Sequence, residues 1–107
     1  MNAKLMIERF QMIFTEANTA RIKLLTSPLG EVEKAVLDVH GLSCREAMRF
    51  INNVVNLTNG ACTVEVIHGY RHGTKIKNSL RQQFLNPRVN ILPDQWNLGV
   101  TYLQPAV

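Results

Sequence analysis

Cysteine, long apolar runs and membrane signals are scarce in this sequence. Its two cysteines, Cys44 and Cys62, are too few for a disulfide scaffold and lack the CxxC spacing of zinc or redox sites, so both are expected to be reduced and structural. No uncharged apolar run approaches the ~18 residues that span a bilayer. The N-terminus also lacks the basic-then-apolar pattern of a secretory signal. These absences predict a soluble, cytoplasmic protein with no membrane partner.

Acidic residues are absent from one stretch. Residues 68–88 contain five Lys or Arg and no Asp or Glu, whereas the rest of the chain holds seven basic against eight acidic residues. The net charge of +4 therefore belongs to one segment. A local excess of this kind favours a polyanionic partner, with nucleic acid as the leading candidate. The alternative is a solvated helix face that happens to be basic.

The 107 residues, 46% of them hydrophobic, suffice for one compact core. Apolar residues at helical spacing predict an amphipathic helix from Asn2 to about Lys23. Pro28 and Gly30 then break the helix. We therefore predict an N-terminal helix and linker over 1–30 and a core domain over 31–107. The helix is a candidate surface for self-association or a protein partner.

The core segment alternates strands and helices. Strands are predicted over 33–40, 62–68, 89–92 and 99–103. One helix begins after Ser43, whose spacing to Glu46 is that of a capping box, and a second begins at Thr74. This order predicts a two-layer α/β sandwich with a four-stranded mixed sheet, two core helices and the added N-terminal helix. A crossover makes the first two strands parallel, so their carboxyl ends meet at one edge.

Ionisable residues gather at that predicted edge. Asp38 and His40 are two apart on a strand and point to one face, and His68 ends the neighbouring strand. An Asp beside a His can orient the ring for acid/base catalysis near neutral pH. Two alternatives stay open. Asp38 can cap a loop while His40 bonds a backbone carbonyl, or the two histidines and the carboxylate can hold a divalent metal ion.

The loop between the second strand and second helix is a predicted anion site. Its free amides and the positive end of the helix dipole suit a phosphate. Charge from Arg71, Lys75 and Lys77 adds to it, and Tyr70 can stack on a base. The complete set of predicted nucleic-acid-binding residues is Gly69, Tyr70, Arg71, His72, Gly73, Thr74, Lys75, Lys77 and Arg81. The alternative is a tight turn whose glycines serve only the backbone.

Two motifs make the chain resemble the small MutS-related (Smr) domain family. LDVHG at 37–41 is similar to the family's LDLHG motif, and IHGYRHGT at 67–74 stands in the place of its HGxGxG motif. NPRV at 86–89 and GVTYL at 99–103 also fit the family's order, so the resemblance covers roughly residues 36–103. Arg71 replaces the middle glycine of the second motif, and the N-terminal helix lies outside the resemblance.

The resemblance implies a fold similar to the C-terminal domain of bacterial translation initiation factor three and an endonuclease that nicks DNA or RNA. It implies that Asp38 and His40 serve cleavage and that His68, Gly69 and Gly73 form the nucleic-acid-binding loop. The leading hypothesis is thus an endonuclease in which Asp38 is the base or a metal ligand, His40 and His68 move protons, and the loop from Arg71 to Thr74 stabilises the charge that develops on the phosphate. Without a metal ion, RNA is the easier substrate because its 2′-hydroxyl can attack the phosphate, whereas DNA cleavage is expected to need a divalent ion.

Two other functions stay open from the residues alone. The chain can be a non-catalytic module that holds nucleic acid through its phosphates, in which case its affinity is salt-sensitive. It can also be a small-molecule phosphate binder or an adaptor that docks through the N-terminal helix. Failure to bind nucleic acid at low salt would favour this third function.

Overall fold

The computed structural model describes residues 1–70, 74–94 and 96–106. Within these ranges the chain forms four helices and five strands. In chain order they are α1 (Ala3–Ile13), α2 (Glu16–Thr19), β1 (Ile22–Thr26), β2 (Val32–Asp38), α3 (Cys44–Thr58), β3 (Thr63–Ile67), α4 (Thr74–Gln82), β4 (Val89–Pro93) and β5 (Val100–Pro105). The predicted α/β class is confirmed.

The strands form one mixed open sheet in the order β1-β2-β3-β5-β4. Strands β2 and β3 are parallel, as predicted, and the other pairs are antiparallel. The prediction of four strands is wrong, because β1 adds a fifth strand in the described part of the chain. The likeness to the initiation-factor domain stays a prediction.

Strand β1 lies where the sequence predicted the end of a helix and a linker. Helix α1 ends at Ile13, and the chain turns through the short α2 before β1 begins at Ile22. Pro28 and Gly30 lie in the turn between β1 and β2 rather than in a linker. The register pairs Leu24 with Ala35, so alternate residues of β1 extend the buried face of the sheet.

One hydrophobic core lies between the helices and one face of the sheet. Ala35 and Leu37 of β2, Val64 and Val66 of β3, and Leu103 of β5 are fully buried in it. The side chains that alternate with them lie on the opposite face, and a central ion pair there joins Lys34 Nζ to Glu65 Oε1 at 3.1 Å. We call this opposite face, which carries Lys34 and Glu65, the open face of the sheet.

Helix α3 begins as predicted, because Ser43 Oγ accepts a hydrogen bond from the Glu46 amide. Cys44 is half-buried and Cys62 is buried, and both are free thiols in this structure. Among the helices that the structure describes, none is long and apolar enough to cross a membrane.

Candidate functional site

Strands β2 and β3 end side by side. Asp38 is the register partner of Ile67, and the Val39 amide donates a hydrogen bond of 3.0 Å to the Ile67 carbonyl. The predicted meeting of two parallel strand ends is therefore confirmed. Ligands of open α/β sheets bind at such carboxyl ends.

Asp38 and His40 form a hydrogen-bonded pair on the open face. Asp38 Oδ1 lies 2.6 Å from His40 Nδ1 and also accepts the backbone amide of His40 at 3.2 Å. The two side chains are 47% and 72% exposed. A carboxylate at Nδ1 favours a proton on that nitrogen, which leaves Nε2 as the basic atom of a neutral ring. The arrangement suits a general base at the protein surface.

Arg21, just before β1, is a functional candidate that the sequence did not indicate. Its Nη1 donates to the carbonyl oxygens of Asp38 at 3.0 Å and His40 at 3.1 Å. A guanidinium therefore holds the backbone of the pair and places positive charge beside it. Its separation of 17 and 19 residues from these partners leaves no local sequence signal.

His68 lies at the same edge but on the other face. Side chains alternate along strands, so Val39 and its neighbour His68 point into the core while Asp38 and His40 point away from it. His68 is fully buried. Its Nδ1 is 2.8 Å from the Gly69 carbonyl and its Nε2 is 2.9 Å from Thr101 Oγ1. Both ring nitrogens are thus engaged within the fold, away from the surface pair.

The surroundings of His68 hold it neutral. Burial lowers its pKa below the ordinary value of 6.5, the Gly69 hydrogen bond acts in the opposite direction, and the charges of Arg81 and Lys77 lower the pKa further. In the neutral ring Nδ1 donates to Gly69 and Nε2 accepts from the Thr101 hydroxyl. His68 therefore fixes the start of the loop that follows β3.

The predicted anion loop begins at Gly69, whose φ of +83° is a left-handed conformation that glycine adopts without strain. Tyr70 is exposed, and its carbonyl accepts a hydrogen bond of 3.2 Å from Thr74 Oγ1 at the start of α4. Arg71, His72 and Gly73 lie outside the described residues. Lys75 is exposed and Lys77 is half-buried. Neither lysine pairs with a carboxylate in residues 1–70, 74–94 and 96–106.

Two arginines of the basic segment have partners within the fold. Arg81, predicted among the nucleic-acid-binding residues, donates from Nε to Thr101 Oγ1 at 3.2 Å and so ties α4 to β5. Arg88 donates from Nε to Asn59 Oδ1 and from Nη1 to Asn56 Oδ1 at the end of α3. Among the described residues of segment 68–88, Lys75 and Lys77 are thus the basic side chains without a side-chain partner in the fold.

A divalent ion finds no complete donor set in the described ranges. No three His, Cys, Asp or Glu side chains come together there, and His68 lies apart from the other two predicted ligands. The residues described thus do not fit the metal alternative.

No protein-family model, curated protein or solved structure matches this chain. The likeness to the Smr family stays a prediction.

Proposed function

We propose that this protein is a nucleic-acid-binding domain, similar to Smr domains, that cleaves RNA by general base catalysis. The observation that carries the proposal is the 2.6 Å contact between Asp38 Oδ1 and His40 Nδ1 on an exposed sheet edge. In this role His40 is the base, Asp38 orients its ring, and the chain between β3 and α4 holds the phosphate backbone.

The reaction needs one base and one nearby nucleophile. His40 Nε2 accepts the proton of a ribose 2′-hydroxyl, the 2′-oxygen bonds to phosphorus, and the bond to the 5′-oxygen breaks. The products are a 2′,3′-cyclic phosphate and a 5′-hydroxyl whose proton comes from water. The charges of Arg21, which bonds both carbonyls of the pair, and of Lys75 at the start of α4 favour the negative charge that develops on phosphate. His68 is a positioning residue for that loop.

The expected acceleration is moderate. A positioned base contributes about 10²–10⁴-fold. A single charge-stabilising donor contributes about 10²–10³-fold. Rate accelerations of this size are sufficient for RNA cleavage, because RNA carries its own nucleophile, the 2′-hydroxyl. DNA lacks this hydroxyl, so its cleavage by the same residues is not expected without a divalent ion.

The test is cleavage of a structured RNA by wild type, His40→Ala and Asp38→Asn, each with and without EDTA. We expect His40→Ala to lower the rate by about 10²-fold or more, with RNA affinity unchanged. Asp38→Asn is expected to lower the rate because the ring loses the carboxylate that selects its tautomer. Glu33→Gln, an exposed acid on the same strand, is the matched control and should cleave like wild type.

Cleavage at the wild-type rate by both variants would contradict the proposal. So would equally fast cutting of duplex DNA in EDTA. The product ends give a further check, because a 3′-hydroxyl in place of the cyclic phosphate is incompatible with attack by the 2′-oxygen.

The position of His68 favours a second candidate, a module that binds nucleic acid without cutting it. Its two ring nitrogens are engaged inside the fold, so the described residues offer one exposed imidazole rather than the two predicted. Under this function the wild type binds RNA in a salt-dependent manner, cleaves none, and binds as well or better after Asp38→Asn.

A further inference from the structure

A cleft of about 220 Å³ lies between the α1–α2 region and α3, on the helix side of the same sheet edge. Its apolar part is formed by Phe14, Leu42 and Phe50, and the two rings meet edge to face with centroids 5.0 Å apart. Its polar rim consists of Asn18, Arg45, Glu46, Arg49 and Asn53. In this apolar floor Phe14 is half-buried and Phe50 is 4% exposed. The rim of two cations, two amides and one carboxylate keeps a net positive charge, which suits a flat ligand that carries negative charge.

The rim is cationic and has unused hydrogen-bonding capacity. Arg45 and Arg49 are one helical turn apart on α3, and both are exposed. Neither forms an ion pair with a carboxylate of the described residues. The side-chain amides of Asn18 and Asn53 likewise make no hydrogen bond in that part of the chain. Guanidinium groups bind phosphate in a bidentate manner, and amides match the donors and acceptors of a base edge.

The size of the cleft limits what can enter. A cavity of about 150 Å³ lined by apolar side chains accepts benzene. The present cleft, at about 220 Å³, is larger and open to solvent, so it has room for one nucleobase. A base on Phe14 and Phe50 would leave its phosphate near Arg45 or Arg49.

The cleft and the Asp38–His40 pair share their supporting segments. Arg21, which bonds both carbonyls of the pair, follows Asn18 of the rim by three residues. On the other side, Leu42 of the cleft donates its amide to the Val39 carbonyl at 3.2 Å in the turn that carries His40. The turn that carries His40 therefore also borders the cleft, which lies on the other face of the same sheet edge.

We infer that this cleft binds one unpaired nucleotide of the substrate, with its base against Phe14 and Phe50 and its phosphate held by Arg45 and Arg49. The inference that the cleft sets a substrate preference rests on the proposed function. It specifies the substrate class as RNA with an unpaired nucleotide close to the cleaved bond, rather than a continuous duplex.

The test compares two RNA duplexes of the same sequence, one with a single bulged nucleotide and one fully paired. Wild type is expected to bind the bulged duplex about tenfold more tightly, the scale of stacking one base on aromatic side chains. The double variant Arg45→Gln, Arg49→Gln should lose this preference. Lys4→Gln, Arg9→Gln removes the same charge from exposed positions on α1 and should keep it.

A second measurement does not depend on cleavage. Adenosine monophosphate titrated into the full chain should shift the NMR signals of the Phe14 and Phe50 rings, and the shifts should disappear in the Arg45→Gln, Arg49→Gln variant. Equal affinity for both duplexes, or no ring shifts, would overturn the cleft inference while leaving cleavage by His40 intact. Ring shifts together with undiminished cleavage by His40→Ala would overturn the proposed function and leave the cleft as a nucleotide site.

Discussion

His40 and His68 carry the same side chain at one sheet edge and have opposite environments. His40 is exposed beside Asp38, whereas His68 is fully buried between Gly69 and Thr101. The difference follows from strand alternation, because the two residues extend from opposite sides of neighbouring strands. The exposed His40 is thus the ring placed to accept a proton from a ligand, as proposed above, whereas His68 is a fixed neutral ring.

Acid is expected to destabilise the protein through His68. The unfolded chain takes up this proton near pH 6.5, whereas burial lowers the folded pKa. Below pH 6.5 the unfolded state therefore binds more protons, and the free energy of unfolding falls as the pH falls. The contribution of neutral, buried His68 to the free energy of unfolding is complete above pH 6.5. It is lost as the pH falls towards the lowered pKa of the folded state. Each unit between the two pKa values corresponds to about 1.4 kcal/mol.

Urea denaturation between pH 7.5 and pH 5 measures this effect. His68→Gln should be less stable than wild type at pH 7.5 and show a flatter pH dependence across the range. Asp94, whose pKa is lowered by hydrogen bonds from the amides of Trp96 and Asn97, responds only below its ordinary value of 3.8 and does not interfere. Parallel pH profiles for wild type and His68→Gln would contradict this assignment.

At the scale of elements, the end of α3 is joined to the start of β4 by a cluster of amides. Asn86 Nδ2 donates to Asn52 Oδ1 at 2.9 Å and to Asn56 Oδ1 at 3.0 Å, and Arg88 completes the cluster. The helix ends at Thr58, and the two residues that follow it, Asn59 and Gly60, both have positive φ. Arg88 therefore stabilises a helix C-terminus, where positive charge is favourable, and its place in the basic segment does not identify it as a ligand-binding residue.

Gly60→Ala is expected to destabilise the protein for two reasons, the left-handed backbone conformation at Gly60 and the close approach of Arg88. The loss should therefore exceed that caused by the conformation alone. A Cβ at Gly60 would lie 2.8 Å from the Arg88 carbonyl oxygen, on a backbone with φ of +65°. Gly30 has φ of +81° and open space around it, so Gly30→Ala is the matched control. We expect a loss of about 1 kcal/mol for Gly30→Ala from its conformation. Gly60→Ala should lose at least about 1 kcal/mol more because the contact forces the backbone to shift.

Denaturant midpoints of the two variants measure the difference. Equal losses at Gly30 and Gly60 would show that the approach of Arg88 to Gly60 has no energetic consequence.

At the scale of the whole molecule, α1 contributes to the same core as the sheet. Met6 and Phe10 are buried in the cluster that contains Leu37 and Val66, and Phe14 packs against Phe50 of α3. The predicted division at residue 30 falls in the β1–β2 turn. The outer side of α1 exposes Leu5, Met12 and Ile13. Docking of a protein partner through this helix stays a prediction.

Met6→Ala is expected to lower the stability of the entire chain by about 2–5 kcal/mol, the range for removing a buried large side chain. Met12→Ala, on the same helix but 84% exposed, should change it by no more than about 0.5 kcal/mol. Thermal unfolding followed by both circular dichroism and fluorescence should show one coincident transition for each variant. A Met6→Ala protein that loses helix signal early and keeps the wild-type main transition would show that α1 is an independent appendage.

Local patterns in the sequence determined the α/β class, the cap at Ser43, the parallel pairing of β2 with β3 and the shared face of Asp38 and His40. These features depend on periodicity and spacing over a few residues, which the sequence displays directly. The buried position of His68 could also have been predicted from the sequence. Cys62, Val64 and Val66 alternate as core residues of this strand, and His68 is the next residue in that pattern.

Tertiary structure alone decided the fifth strand, the Arg21 contacts and the cleft between Phe14 and α3. The segment of β1 has five residues and no strong periodicity, and its pairing with β2 stabilises it as a strand. Arg21 meets Asp38 and His40, and Phe14 meets Phe50, only when the folded sheet brings distant segments together. Such contacts arise from packing between elements, which no local pattern encodes.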